Sequence, residues 1–330
     1  MDRTRRRLLG LLSGGPIGLA ELARELDVSA ERIETSLDRL QDRGFDLKRG
    51  PEGIRAVETP EFGGGAIAFG LDPPYRIDFR ESVTSTNEIA REYAERGDAD
   101  VVVVADEQTA GRGRDEQDWV SPSGGIWLSI LLRPDLEPRR LPLLTLAGAV
   151  AVARAVEQVG VDATIKWPND VLARTDDGEE QKLAGILSEA ETTSAEVDWA
   201  VVGIGINANV DPAELVADGA DSEDGGGRRT NDKVGPTPTS LRALVGVVDR
   251  RQVTQAALET FHQLVEEPDE ILDEWRDSAE TIGRRVRITT ANEVFEGIAE
   301  EITSVGALRV STETGTRVIT VGDCDHLRSA

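Results

Sequence analysis

An apolar run, Val101 to Ala105, delivers the chain into Gln108-Thr109-Ala110-Gly111-Arg112-Gly113-Arg114, and this junction constrains the fold more than any other segment. The apolar run predicts a strand, and the loop behind it alternates two glycines with two guanidiniums. Glycine lets backbone N–H groups approach an anion, and arginine offers a planar charged fork that matches carboxylate and phosphate oxygens. An Arg-Gly turn can equally be a solvated connection. The anion reading therefore rests on two further segments, Lys166-Trp167-Pro168-Asn169-Asp170 and Lys182-Leu183-Ala184-Gly185-Ile186-Leu187.

Those segments contain two of only four lysines in a chain of 330 residues with 37 basic residues. Where arginine is otherwise the rule, lysine at these places suggests that a compact ammonium is required. The net charge of −25 is spread along the sequence. With so little lysine, it resembles the surface of a protein from a salt-adapted cytoplasm. It says nothing about substrate. One cysteine, Cys324, excludes an intrachain disulfide framework and a cysteine zinc cluster. His262 and His326 stand far apart and near no motif, so they read as surface residues and a histidine triad or metal site is not expected. Neither a signal peptide nor a bilayer-spanning run is evident, which predicts a soluble, cytoplasmic protein without membrane partners.

The length allows two or three domains, and 39% apolar content can build their cores. Residues 1–60 read as a winged helix-turn-helix. Leu8, Leu9, Leu11 and Leu12 mark one helix, Leu19, Leu22, Ala23 and Leu26 a second, and Ile33, Leu37 and Leu40 a third with Ser29 as N-cap. Phe45 to Val57, broken at Gly50-Pro51-Glu52-Gly53, reads as the hairpin wing. Ser29 to Arg43 would be the recognition helix, with Ser29, Arg32, Thr35 and Arg39 facing DNA. The unit carries 11 Lys or Arg against 11 Asp or Glu, so the remainder of the chain bears the whole negative charge. Glu31 and Glu34 on the same helix oppose phosphate contact. A plain three-helix packing module remains the alternative.

Residues 61–74, rich in Gly and Pro, read as a linker. A mixed α/β domain follows over 75–277, interrupted by an acidic surface excursion at 211–238. From 278 to 330 short alternating strands predict a small β-barrel. The fold class is α+β. Ser85 and Glu88 have capping-box spacing for the helix after Ser85. Hydroxyls and an amide there, in Ser85-Thr86-Asn87, also suit a small ligand with urea-like donors and acceptors. Lys166 can neutralise phosphate, and Asp170 with Asn169 can offer oxygen ligands to magnesium. Gly203-Ile204-Gly205-Ile206-Asn207 allows close backbone approach at a strand end.

With these segments the chain resembles the biotin protein ligases of the bifunctional type, which also repress biotin synthesis. The likeness runs from the winged helix through the catalytic domain to a C-terminal SH3-like barrel. It is carried by Ser85-Thr86-Asn87, Gln108, Gly111 to Arg114 with Trp119, Lys166 to Asp170, Lys182 to Leu187 with Glu189, Gly203 to Asn207, and Thr239-Ser240-Leu241. It implies that biotin and Mg-ATP form biotinyl-AMP and pyrophosphate, and that a lysine of a biotin carboxyl carrier domain of an acyl-CoA carboxylase then takes the biotin. By the same likeness, Ser85, Thr86, Asn87 and Gln108 would hold the ureido ring. Arg112, Gly113 and Arg114 would close over the biotin carboxylate and α-phosphate, Gly185 would admit biotin, and Lys182 would stabilise the reacting oxygens. Lys166, Asn169, Asp170 and Asn207 would serve ATP, with Mg2+ at Asp170, and the protein would work as a homodimer on operator DNA.

Asp115-Glu116-Gln117-Asp118 departs from the family, whose loop continues with basic residues and another glycine. Other readings stay open here. They are a lipoate or octanoate transferase, a ligase with a non-functional winged helix, and a non-catalytic biotin-sensing transcription factor.

Overall fold

The computed structural model describes the chain except residues 1–7, 9–10, 13–14, 43–44, 59–61, 115–116, 176–177, 216–235 and 328–330. Leu9 and most of the acidic excursion thus lie outside the described residues. At the N-terminal end, α1 (Leu19–Leu26) and α2 (Ala30–Asp42) are followed by an antiparallel hairpin of β1 (Asp46–Gly50) and β2 (Gly53–Glu58). The apolar spacing read from the sequence is the packing found: Leu8, Leu12, Leu22, Leu26, Ile33, Leu37 and Leu40 form one buried cluster. Ser29 Oγ accepts the Arg32 N–H at 3.3 Å, the expected cap. Ile17 pairs with Ile54 across the hairpin. Gly53, at φ 124°, permits that contact, because a Cβ there would strike the Ile17 backbone.

The segment read as a linker is structured. It contains α3 (Gly64–Ala68), whose Ala66, with the following Phe69, packs into the N-terminal cluster while Ile67 and Leu71 enter the main core. Gln255, buried in a helix of the central domain, donates to the Ile67 and Phe69 carbonyls at 2.8 Å each. Glycine content signalled a flexible connection, but alternating apolar side chains serve two cores at once.

The central domain is built on a seven-stranded mixed sheet. In chain order its strands are β3 (Arg76–Val83), β4 (Val101–Gln108), β5 (Ile126–Leu132), β6 (Ala163–Lys166), β7 (Asp170–Arg174), β8 (Glu180–Thr192) and β9 (Val197–Ile206). Across the sheet the order is β3-β4-β5-β9-β8-β7-β6, and only β3 and β4 run parallel. Strand β7 escaped sequence reading because its five residues begin in the polar Asn169-Asp170 turn. Helix α4 (Thr86–Glu95) lies over β4 and β5. Helix α5 (Pro142–Glu157) is apolar nearly all round and is accordingly the buried one, packed between the sheet and the helices Arg250–Glu266 and Ile271–Ser278.

The C-terminal unit is an all-β domain of five antiparallel strands, ordered β13-β12-β11-β10-β14. These are β10 (Arg285–Thr289), β11 (Val294–Ile302), β12 (Leu308–Thr312), β13 (Gly315–Ile319) and β14 (Asp323–His326). Four were expected near these positions. The fifth, Asp-Cys-Asp-His, is too short and polar to show apolar alternation. The domain shares the central core, with Val286, Ile288, Leu308 and Val310 in the cluster that holds Trp167. The Trp167 indole N–H donates to Gly306 O at 3.2 Å. Among the described residues, no helix is long and apolar enough to cross a membrane.

Candidate functional site

The ends of β4, β8 and β9, the start of α4 and the turn after β6 converge on one cavity of about 390 Å³. All thirteen residues read from the sequence for small-molecule chemistry line it: Ser85, Thr86, Asn87, Gln108, Arg112, Gly113, Arg114, Lys166, Asn169, Asp170, Lys182, Gly185 and Asn207. Ser29, Arg32, Thr35 and Arg39 are exposed on α2 and take no part in it.

The floor is polar, buried and internally bonded. Gln108 Oε1 accepts the Thr86 backbone N–H at 2.8 Å and lies 3.1 Å from its hydroxyl, while Gln108 Nε2 donates to Ser121 Oγ at 2.9 Å. Ser129 Oγ, fully buried on β5, lies 2.7 Å from Thr86 Oγ1 and 2.6 Å from Asn87 Oδ1. Asn87 Nδ2 donates to Glu189 at 2.7 Å, and Glu189 also receives Arg91 at 2.8 Å. The capping box expected at Ser85 and Glu88 is not what forms. Ser85 sits at the N-cap, but among the described residues its side chain makes no cap bond. Glu88 instead receives Thr84 Oγ1 at 2.8 Å and Arg112 at 2.7 Å. Gln108 takes the first free helix N–H, leaving the Ser85 hydroxyl on the cavity wall.

The rim carries the cations. The Arg-Gly loop doubles back on itself, with Gly113 N–H donating to Gln117 O at 2.7 Å and Trp119 N–H to Gly111 O at 2.9 Å, which pairs the Arg112 and Asp118 backbones antiparallel. Of the acidic quartet, Asp115 and Glu116 lie outside the described residues. Arg114 donates to Asn169 Oδ1 and to Gly322 O, each at 3.2 Å, and lies 3.8 Å from Asp323. Lys166, at the end of β6 just before a cis Trp167–Pro168 bond, meets Asp325 at 3.4 Å. Lys182 is held by its backbone between Thr237 O and Thr239 N–H, and its ammonium meets Asp170 Oδ1 at 2.7 Å. A bulge that inserts Leu183 into the β7–β8 pairing turns Lys182 toward Asp170.

Glycines shape the remaining wall. Gly185 and Gly205 are cross-strand partners, and the Trp119 indole lies over both. A Cβ at Gly205 would come within 2.6 Å of Trp119 Nε1, and one at Gly185 within 3.0 Å of the same ring. Lys182 Nζ stands 5.2 Å from the ring centre. Asn207 Nδ2 donates to Thr239 O at 2.9 Å, while Asn207 Oδ1 and Trp119 Nε1 are buried without a partner among the described residues. Such orphaned atoms in a cavity wall invite ligand atoms.

The sequence reading missed Ser121 and Ser129 of the floor, which lie in no motif, and a group on the C-terminal domain. Asp323, Cys324 and Asp325 reach the cavity from β14, a strand absent from the sequence reading. Burial pushes the Cys324 thiol up to about 12. Their neighbour His326 was expected at the surface but is largely buried, within reach of Thr281, Arg284 and Glu180, and burial lowers its pKa. An Asp-x-Asp pair near the end of the chain was the available signal.

Comparison with known proteins agrees with this geometry. Residues 79–207 match the Biotin/lipoate A/B protein ligase family, and residues 281–327 the Biotin protein ligase C terminal domain. A bifunctional ligase/repressor BirA of Bacillus subtilis is 31% identical over 316 residues, covering 91% of this chain and 90% of that protein. A biotin–[acetyl-CoA-carboxylase] ligase of Mycobacterium tuberculosis is 30% identical, covering 77% of this chain and 90% of that protein. Among solved structures, the biotin protein ligase of Aquifex aeolicus in complex with biotin and ATP superposes with a TM-score of 0.57. It is 26% identical, over 77% of this chain and 99% of that one. With a ligase relative at this identity matched over nearly its whole length, and a cavity floored by urea-like partners and rimmed by cations, the chain belongs to the biotin protein ligase family.

Proposed function

We propose that this cavity makes biotinyl-5′-AMP from biotin and ATP and passes the biotin to a lysine of a biotin carboxyl carrier domain. One observation carries the reading: residues scattered over more than a hundred positions of sequence form a single cavity with a neutral hydrogen-bonding floor and a cationic rim. The floor, Ser85, Thr86, Asn87 and Gln108, suits a ureido ring. Gly185, without a side chain, leaves room for the bicycle and its valeryl arm. Arg112, Gly113 and Arg114 then face the biotin carboxylate, whose oxygen attacks the α-phosphorus as pyrophosphate leaves. Lys182 neutralises charge on the reacting oxygens, and Lys166, Asn169, Asp170 and Asn207 receive the nucleotide. In the second step the carrier lysine, as free amine, attacks the acyl carbon and AMP leaves. No side-chain nucleophile is needed, since positioning and charge neutralisation suffice for both displacements.

Magnesium enters on the triphosphate as part of the substrate. Asp170 is the carboxylate placed to meet it, once Lys182 turns to the phosphates. Among the described residues, no group of three or more His, Cys, Asp or Glu side chains could by itself hold an ion. In line with this, magnesium usually binds through one or two carboxylates together with substrate phosphates.

We assign domains at 1–60, 75–277 and 278–330, the last an SH3-like barrel, and read the N-terminal unit as a winged helix that binds operator DNA. What supports the DNA reading is the Ser29-capped α2 with exposed Arg32, Thr35 and Arg39, followed by a hairpin wing. The relatives named as ligase/repressors match 91–92% of this chain, whereas the Mycobacterium and Paracoccus relatives named as ligases match 77% and 71%. The difference is about the size of the N-terminal unit. Glu34, which would face phosphate unfavourably, is held by Arg49 of the wing. The protein is read as a cytoplasmic homodimer when it represses. The test is biotin-dependent ATP–pyrophosphate exchange, followed by biotin transfer to a carrier domain, in a preparation also titrated with its own upstream DNA. Binding of biotin and DNA without exchange would leave a non-catalytic biotin sensor, and exchange and transfer without DNA binding would leave a ligase with a non-functional winged helix.

A further inference from the structure

Behind the cavity floor lies a chain of polar groups whose proton order is determined by one carboxylate. Glu189 only accepts, and it receives Arg91 at 2.8 Å and Asn87 Nδ2 at 2.7 Å. That contact, with a longer one of 3.5 Å to the Leu187 carbonyl, fixes the Asn87 amide with its oxygen turned to Ser129, 2.6 Å away. Ser129 has one proton, and two oxygens stand within 2.7 Å of it. If that proton pointed to Thr86, the 2.6 Å contact with Asn87 Oδ1 would be a bare oxygen–oxygen repulsion. The arrangement that puts a proton in both short contacts sends the Ser129 proton to Asn87 and the Thr86 proton to Ser129. The longer 3.1 Å contact from Thr86 Oγ1 to Gln108 Oε1 can lack a proton, because Gln108 Oε1 already accepts the Thr86 backbone N–H.

We propose that Glu189 and Ser129 are positioning residues that set the polarity of the floor, so that Thr86 Oγ1 offers the ligand only lone pairs and selects a ring N–H. The inference rests on the reading of the floor as the ureido site. Ser129 is fully buried, and Glu189 sits behind Asn87 at the edge of α4, so neither needs to touch biotin. With a glutamine at position 189, the Asn87 amide can turn over and donate to Ser129. Ser129 then donates to Thr86, and Thr86 donates to the ligand, reversing the preference. Ser129→Ala leaves the Thr86 proton only the longer 3.1 Å contact to Gln108 Oε1, from which the ligand can draw it.

The experiment compares biotin with two cyclic carbamate analogues, each with one ring N–H replaced by oxygen, in ATP–pyrophosphate exchange. Wild type is expected to favour biotin over at least one carbamate by about a hundredfold in kcat/KM, since that ring oxygen would face lone pairs. In Glu189→Gln and in Ser129→Ala, this preference should fall to within about fivefold. The KM for biotin should rise about tenfold, with kcat at saturating biotin and the KM for ATP within about twofold. Loss of packing alone would weaken biotin and carbamate together, so a retained hundredfold preference in a folded Glu189→Gln protein overturns the proposal even if KM rises. Ser129→Ala repeats the test should the first variant fold poorly. Wild type that uses biotin but accepts both carbamates equally also overturns it and leaves the ureido reading standing. Wild type that uses neither overturns both.

Discussion

Replacing Lys182 with methionine isolates the role of one ammonium, because methionine keeps much of the stem and removes the charge. Two separable effects follow from the structure. In the proposed reaction, the Lys182 backbone is fixed by its bonds to Thr237 and Thr239 and its ammonium waits on the Asp170 carboxylate at 2.7 Å, so a short turn of the side chain brings it to the phosphates. Loss of one such charge contact costs on the order of 100- to 1000-fold in rate, about 3–4 kcal/mol. In the fold, the change leaves Asp170 without its partner. A fully buried pair would lose roughly 3–5 kcal/mol, but the Lys182 side chain is 27% exposed, so about 1–2 kcal/mol is the expected loss. Adding Asp170→Asn removes the abandoned charge and should restore most of the stability but none of the rate. Single-turnover pyrophosphate release at saturating biotin and ATP gives the first quantity, and the urea midpoint the second. Pyrophosphate release within tenfold of wild type from folded Lys182→Met would refute the assignment. So would a double variant that recovers rate together with stability.

Arg114→Gly removes the side chain that ties the Arg-Gly loop to Asn169 and Gly322, and biotinyl-AMP should then escape. A dissociation rate at least about tenfold faster and biotinylation of bystander lysines are the readouts, and no increase in either rejects the role. Gln255→Ala strands the Ile67 and Phe69 carbonyls inside the junction of the N-terminal and central units. Stability should drop by roughly 2–4 kcal/mol in urea titration while adenylation at low temperature persists. Burial raises the Cys324 thiol to about 12, so at pH 8 only about one molecule in ten thousand holds a thiolate. Iodoacetamide should label it in guanidinium and not in the native protein. A chain of charge −25 whose N-terminal unit is neutral should bind its own upstream DNA more tightly at molar KCl than at low salt, where long-range repulsion is unscreened. A gel-shift titration showing the ordinary opposite trend would refute this.

What was legible in the sequence was legible because local chemistry determined it. Leu8 to Leu40 follow helical spacing and pack as that spacing demands, and Val101 to Ala105 is buried without exception. Lys166 and Lys182 stood out because lysine is rare in this chain, while Ser85, Thr86, Asn87, Gln108, Gly185 and Asn207 were named through the resemblance to biotin protein ligases. Strand β7 pairs with its chain neighbours β6 and β8 and was hidden by its polar start. Other hidden features depend on partners distant in sequence, as β14 does on β10. The Ser85 cap was expected from local spacing, but its side chain lines the cavity and makes no cap bond among the described residues. His326 reads as a surface residue until Arg284 and Glu180 are seen around it.

The same distant partners account for how so acidic a chain handles anionic substrates. Each cation on the rim has a carboxylate of its own: Glu88 for Arg112, Asp323 beside Arg114, Asp325 for Lys166 and Asp170 for Lys182. Two of these carboxylates belong to the C-terminal β domain, which makes that domain part of the electrostatics of the site. Pairing holds long side chains in place before substrate arrives, and so lowers the entropy lost on binding. It also means that triphosphate must compete with carboxylates for its cations, and since those carboxylates stay in the site, the negative charge it brings adds to theirs and needs magnesium or salt to offset it. The exposed Arg112–Glu88 pair contributes roughly 0–1 kcal/mol and the more sheltered Lys182–Asp170 pair about 1–2 kcal/mol, small enough for a bidentate phosphate to displace. Abundant salt weakens the exposed pairs most, so the exposed Arg112 should be released before the sheltered Lys166. Loop closure over the carboxylate should therefore respond to ionic strength more steeply than the nucleotide subsite does.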